Sequence, residues 1–423
     1  MQFCRNSDSF ISGLGTGSSS ALSSSINDGH RLQKTILGQL AQLQSHLQQP
    51  ADFLQHLAIQ NQLLSCLRWL GDFQVLALVP QTGSIAIRDV ADLSGTPEPQ
   101  LVRIIHMMST AGFLHQPQSG HVAHTALSAP FATNPSLLDA SLFLSETAGP
   151  SALQMSTATQ RFGLSNRMDE TAYNMASGNP AAFTHAYLQR PRLQRQWRAY
   201  LRLGFGDFEM ELSDMMSRYD WDSLGKATVV EVGALSAATA LELTSLHPNL
   251  DFIVQMCDPI GNGHQFDSTK LNSNKRPGSR IAVHPRAPGA LQTVDDAAVY
   301  VVHVHTAPFG APWAEVPARI VAELRANIGV IRVNRRATLL LVTSPAQRTD
   351  GAAMNVEATG RLRDLSLWQL ANGRGVEMEE LAQILSGMAD GIGRLVLVNR
   401  YSAPNNSLVV FEMRYQLHTA TDP

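Results

Sequence analysis

Cysteine is scarce in this chain of 423 residues: there are three, Cys4, Cys66 and Cys257, far apart in sequence. That excludes a disulfide framework and a cysteine-built zinc site, which both need closely spaced thiols. It suits a reducing compartment. No apolar run approaches the length needed to cross a bilayer, and the first residues lack the apolar centre of a secretory signal. Charge of one sign is lacking too, since Lys+Arg 32 against Asp+Glu 35 leaves a formal net charge of −3. A balance of that kind offers no broad cationic field to nucleic acid or to an anionic membrane. No internal repeat and no metal-ligand constellation is present. The expectation is a cytoplasmic protein that engages neither membrane nor nucleic acid and holds no metal.

Apolar residues make up 44% of the chain, enough for two domains with a substantial core. The stretch that organises it is residues 228–259, TVVEVGALSAATALELTSLHPNLDFIVQMCDP. The β-branched run 229–232 predicts a strand, Gly233 a tight turn, and 237–246 a helix that His247-Pro248-Asn249 stops, because proline cannot continue it. A second strand follows at 252–254. Strand, helix and strand in this order imply a parallel sheet with ligand at the carboxyl ends of its strands. Further strands are expected at 280–283, 299–304, 339–342, 395–399 and 408–413, and helices at 313–328, 364–371 and 377–386. The whole is a doubly wound α/β sheet.

Before that domain, residues 1–28 are rich in serine and glycine and predict disorder. A helix over 30–47 carries Leu32, Ile36, Leu40, Leu43 and Leu47 on one stripe, either an ordinary core face or a dimer seam. Residues 85–131 read as two helices about a Gly-Thr-Pro turn followed by a small β-wing, a winged-helix pattern. Its second helix offers Arg103 alone as a base-reading cation, which argues against DNA. Residues 135–220 read as helical and rich in aromatics and methionine. The expected organisation is a disordered segment 1–29, a winged-helix domain 30–134, a helical linker 135–220 and an α/β domain 221–423.

Glu231-Val232-Gly233, the helix after it and the strand ending near Asp258 resemble the S-adenosylmethionine (SAM) site of class I O-methyltransferases of plants and fungi. The resemblance runs from about Leu32 to Tyr415. It implies a Rossmann-like SAM-methyltransferase fold behind an α-helical winged-helix dimerisation domain, hence a homodimer. It assigns Glu231, Gly233, Met256 and Asp258 to the cofactor region. It makes His305, in YVVHVHTAPFG, the counterpart of the family's histidine base, with Thr306 where an aspartate belongs. His303 alternates with His305 and ranks below it. It places Trp197, Leu201, Met354, Trp368 and Met413 around an apolar small-molecule substrate.

The same alignment of motifs shows losses. Ala234-Leu235-Ser236-Ala237 replace the glycine run, and each added Cβ narrows the turn. Met256 stands for the ribose-binding acid. His284-Pro285-Arg286 contains no carboxylate where a third acid is expected. Gly375 and Val376 stand where the base-steering acid belongs. Four changes at one site imply that methyl transfer is relaxed while the pocket is kept. Some fungal members of this family catalyse pericyclic reactions. The resemblance therefore implies a pericyclase closing rings on a polyketide or 2-pyridone intermediate, with no cofactor required although SAM could still be held. His305 and Thr306 would donate hydrogen bonds to a substrate carbonyl. The alternatives are a SAM-dependent O-methyltransferase acting on a phenolic polyketide, and an inactive dimerising scaffold.

Overall fold

The computed structural model describes residues 19–204, 208–234, 236–257, 279–304, 316–344, 354–402 and 408–418, with the side chains of 19–28, 30, 31, 34, 208–211, 257 and 354–357 outside that description. Two compact units are present, one of Met1–Gln48 with Ala353–Asn355 and one of the remainder.

In the first unit, a single helix spans Ser19–Leu47. It begins well before the expected start at residue 30. Once a helix is nucleated, each further residue is added at the cost of one residue's freedom for one hydrogen bond, so serine-rich composition did not end it. Leu32, Leu40, Leu43 and Leu47 are all more than half exposed, at 62, 56, 58 and 69%.

In the second unit, helix Pro50–Asp72 leads into a winged-helix arrangement. Helices Ile87–Ser94 and Glu98–Thr110 meet at Gly95, whose φ of 67° is the left-handed conformation glycine adopts without a Cβ clash. A small antiparallel sheet completes it, with β1 (Ile85–Ala86), β2 (Leu114–His115) and β3 (His121–His124) in the order β1-β3-β2. Leu101, Ile105 and Met108 point inward against Val90 and Val122, while Arg103 and His106 face water.

Short helices follow, including Pro135–Phe143, a π-helical turn Leu144–Ala148, Phe183–Gln189 and Pro191–Leu203. They enclose an aromatic cluster of Phe143, Tyr173, Phe183, Tyr187, Trp197 and Tyr200, completed by Leu367, Leu370 and Ala371 of helix Met354–Ala371.

The C-terminal domain is built on a seven-stranded sheet. Its strands are β4 (Ala227–Ala234), β5 (Leu250–Cys257), β6 (Ile281–Arg286), β7 (Val299–Val304), β8 (Thr338–Thr343), β9 (Gly393–Ser402) and β10 (Val409–Leu417). The order is β6-β5-β4-β7-β8-β10-β9. The first five run parallel, and β10 lies antiparallel between β8 and β9. The central strands are apolar on both sides because helices cover both faces. Helices Val316–Val333 and Met378–Ser386 pack one face through Ile320, Leu324 and Leu381, against Val230, Val302 and Leu341. Helices Phe208–Met216 and Ala238–Leu246 pack the other through Met215 and Leu243, against Val229, Val301 and Val342. This is a Rossmann-like methyltransferase sheet behind a winged-helix domain, as the motifs implied. No helix among the described residues is long and apolar enough to cross a membrane.

Candidate functional site

The strand order turns at β4, so the carboxyl ends of β4, β5 and β7 border the crevice where ligands bind in sheets of this kind. Glu231 stands opposite Val301 in the β4–β7 ladder, and Val232 opposite Val302. Residues in register in adjacent parallel strands share a face, and so do residues two apart in one strand. Glu231 and His303 therefore share a face, the one covered by helices Phe208–Met216 and Ala238–Leu246. They meet there: His303 Nε2 lies 2.9 Å from Glu231 Oε1, with side-chain exposures of 2 and 3%.

Gly233 explains how the two strands come so close. Its φ is 73°, and a Cβ on it would lie 2.8 Å from the carbonyl oxygen of His303. The β4–β5 register also shifts between Val232 and Ala234. The turn keeps its one glycine because the protein's own backbone fills the space beside it. Met256, half-buried and in register with Ala234, joins Glu231 and His303 at this end.

On the opposite face of β5 and β6 a buried polar network fills the strand ends. Arg286 Nη1 donates to Glu323 Oε2 at 2.9 Å, and Arg286 also donates to the carbonyl of Ala290. Glu323 Oε1 accepts from the backbone of Gly289 at 2.6 Å. Gln255 and Gln292 exchange two hydrogen bonds of 2.9 Å, and Gln292 reaches Asn327 Oδ1 at 3.3 Å. Arg286 is thus a cation made affordable in the interior by a partner carboxylate.

The structure places the expected substrate residues in three groups. Trp197 is 1% exposed, at 5.0 Å from the ring of Phe143 and 5.4 Å from that of Phe183. Leu201 packs half-buried on the same cluster. Tyr200 is tied to Ser366, and burial pushes its hydroxyl pKa upward, with the hydrogen bond from Ser366 acting the other way. Helix Met354–Ala371 is docked on this cluster through Leu367 and Leu370, and its Trp368 is 40% exposed. Met413 is not brought to this end of the sheet. It is buried on the other face, in register with Leu339 at the start of β8, because β10 runs antiparallel and carries its later residues back to the amino ends of the parallel strands. His305, Thr306, Asp258 and the side chain of Met354 lie outside the described residues. Reading the sequence missed the partnership of Glu231 with His303. The alternation that separated His303 from His305 was the available signal, since it also puts His303 on the face of Val301 and hence of Glu231.

No protein-family model matches the chain. Among curated proteins, it is 43% identical to the monodictyphenone cluster transcriptional coactivator mdpA of Emericella nidulans, over 94% of this chain and 91% of that protein. It is 38% identical to the aflatoxin cluster transcriptional coactivator aflS of Aspergillus flavus, over 95% of this chain and 93% of that protein. Among solved structures, LepI in complex with SAM superposes with a TM-score of 0.68 at 15% identity, over 94% of this chain and 98% of LepI. OxaC in complex with SAH and oxaline gives 0.62 at 16% identity, over 97% of this chain and 96% of OxaC. These structures share the class I O-methyltransferase-like fold.

The relatives overturn the expectation of a pericyclase working on a polyketide or 2-pyridone. Relatives that match at about 40% identity along nearly the full chain are named as cluster transcriptional coactivators, and the likeness to pericyclic enzymes rests on 15% identity. At such a distance fold persists while chemistry changes.

The fold also implies SAM, and the described residues do not fit it well. SAM presents an ammonium group and two ribose hydroxyls, and carboxylates at the strand ends are the groups suited to accept their hydrogen bonds. One oxygen of Glu231 is held by His303, although Oε2 has no hydrogen-bond partner among the described residues. Met256 has no acceptor for ribose hydroxyls. Arg286 puts a cation, already engaged by Glu323, at the end of β6. With 43% identity over nearly its whole length to such a protein, this chain belongs to the family of fungal secondary-metabolite cluster transcriptional coactivators, built on the class I O-methyltransferase-like fold.

Proposed function

We propose that this protein is a transcriptional coactivator for a fungal secondary-metabolite gene cluster and that the methyltransferase-like domain serves it as a binding scaffold. The observation that carries this reading is the identity of 38 to 43% to named coactivators over more than nine-tenths of the chain. The site supports it. The carboxylate at the end of β4 is engaged by His303 at 2.9 Å, and the next strand ends offer Met256 and Arg286 in place of acids. Contact with DNA would come through a partner, because the second helix of the winged-helix unit exposes Arg103 as its one arginine or lysine.

Deleting the gene is expected to lower the transcripts of neighbouring biosynthetic genes by tenfold or more, on the order of 1.4 kcal/mol or above in promoter occupancy. A complementing copy with His305→Ala is expected to restore them. Calorimetric titration of the purified chain with SAM is expected to show no saturable heat up to about 1 mM. Tight SAM binding, together with failure of the His305→Ala copy, would return the protein to catalysis.

A homodimer is part of the same proposal. Leu32, Ile36, Leu40, Leu43 and Leu47 form an exposed apolar stripe, with exposures of 47 to 69%. It extends for about 22 Å at 1.5 Å per residue, and a second copy of the chain would remove it from water. Leu40→Glu with Leu43→Glu is expected to halve the mass measured by light scattering. A monomeric wild-type chain would end this part.

A further inference from the structure

The sequence from Thr171 to Gly206 contains no aspartate or glutamate, yet it carries Arg190, Arg192, Arg195, Arg198 and Arg202. All five are exposed, in a chain whose formal net charge is −3. Four of them lie on helix Pro191–Leu203. That helix buries Leu193, Gln196, Trp197, Ala199 and Tyr200. At 100° per residue, Arg195, Arg198 and Arg202 fall within about 60° of one another, turned away from Leu193, Trp197 and Tyr200, with Arg192 about 60° beyond Arg195 across the small side chain of Ala199. From Arg190 to Arg202 the row runs for about 18 Å at 1.5 Å per residue. Nothing in the aromatic core requires the outer side of this helix to be cationic.

We propose that this arginine row is a docking surface for an acidic protein segment with interspersed apolar residues. The inference rests on the coactivator reading and names the surface through which it acts. Three observations select the occupant. First, every cation of the row is arginine, whose planar fork matches carboxylates in two-point contacts that lysine cannot make. Second, the row already engages carboxylates within the molecule. Arg192 Nη2 lies 2.6 Å from Glu146 Oε1, and Arg195 Nε lies 3.5 Å from Asp139 Oδ2. Those two acids would repel a continuous phosphate backbone, whereas a peptide can place its carboxylates between them. Third, Leu188 at 40% and Leu203 at 39% exposure supply apolar contacts near the two ends of the row. Nucleic-acid phosphates have no use for such contacts. A partner segment of about twelve residues as a helix, or six extended, spans the row.

The test uses the full chain and a short fluorescein-labelled peptide in which Asp and Glu alternate with Leu and Phe, followed by fluorescence anisotropy. The wild type is expected to bind it, and binding is expected to weaken with added salt. The variant Arg195→Glu/Arg198→Glu/Arg202→Glu is expected to bind about tenfold to hundredfold more weakly. The neutral variant with Gln at the same three positions should fall between the two. Reversing Arg195 sets a carboxylate beside Asp139, so the Gln variant, which adds no like charge there, carries the control: it should melt close to the wild type and still bind the peptide more weakly. A control peptide with Gln for Asp and Glu should not bind. Equal affinity of wild type and reversed variant would overturn the proposal, as would preferential binding to duplex DNA or to anionic vesicles. Loss of cluster transcripts on gene deletion, together with unchanged peptide binding in the reversed variant, would keep the coactivator and remove this surface.

Discussion

His303→Ala is expected to destabilise the protein by about 3–5 kcal/mol, read as a shift in the urea-unfolding midpoint. His303 and Glu231 are each almost wholly removed from water and hydrogen-bond to one another at 2.9 Å. Removing the imidazole leaves the Glu231 carboxyl buried with one fewer partner, and burying a polar group without compensation costs far more than the pair gains by existing. The asymmetry supplies the control. Replacing both residues with leucine removes both demands, so the double variant is expected to be much less destabilised than the sum of the two single changes. A cost under about 1 kcal/mol for His303→Ala would mean that water reaches the pair. The cofactor end of β4 would then be open to solvent rather than closed by protein groups.

Trp197→Ala is expected to cost a similar amount, about 3–5 kcal/mol, for a different reason. The indole has no exposed face to lose. It sits at 5.0 Å from Phe143, 5.4 Å from Phe183 and 6.2 Å from Tyr200, so truncation leaves a cavity that these rings cannot close without leaving their rotamers. Trp197→Phe is expected to cost less than half as much. Were Trp197 chiefly the wall of a ligand cavity, truncation would enlarge that cavity at little cost in stability, and denaturation would show it. Because the same cluster holds Leu367 and Leu370, the change should also loosen helix Met354–Ala371, seen as faster amide exchange along it.

The sheet was largely legible in the sequence. Strand 299–304 matches β7 in full, and 339–342 lies inside β8, because continuous β-branched and leucine runs between helices have few other uses. Helix 237–246 matches Ala238–Leu246, stopped by Pro248 as proline chemistry requires. The start of the first helix was not legible, since propagation into a serine-rich stretch is decided by cooperativity rather than by composition. The changes at Met256 and Arg286 were visible as missing acids. What replaced those acids was not visible: the carboxylate that answers Arg286 is Glu323, thirty-seven residues away, and only the folded chain shows that pairing. Met413 was misplaced for a comparable reason, because its end of the sheet depends on the direction of β10. Function was the least legible. A catalytic site is written in spaced motifs, whereas the coactivator role proposed for this chain would be carried by surfaces, and the arginine row on helix Pro191–Leu203 has no motif to announce it.

The position of β10 between β8 and β9 has a consequence for biogenesis. β9 leaves the ribosome before β10, yet it bonds to nothing in the sheet until β10 has docked on β8. From the synthesis of β8 until that of β10 the β8 edge is therefore an open row of backbone donors and acceptors, in its last stage beside a detached β9. Such an edge recruits other strands. A message cut short before Val409 would yield a chain in permanent need of chaperones, with an otherwise complete parallel sheet exposed along one side. Tolerance of this protein to premature termination should accordingly be poor even for the loss of its final strand alone.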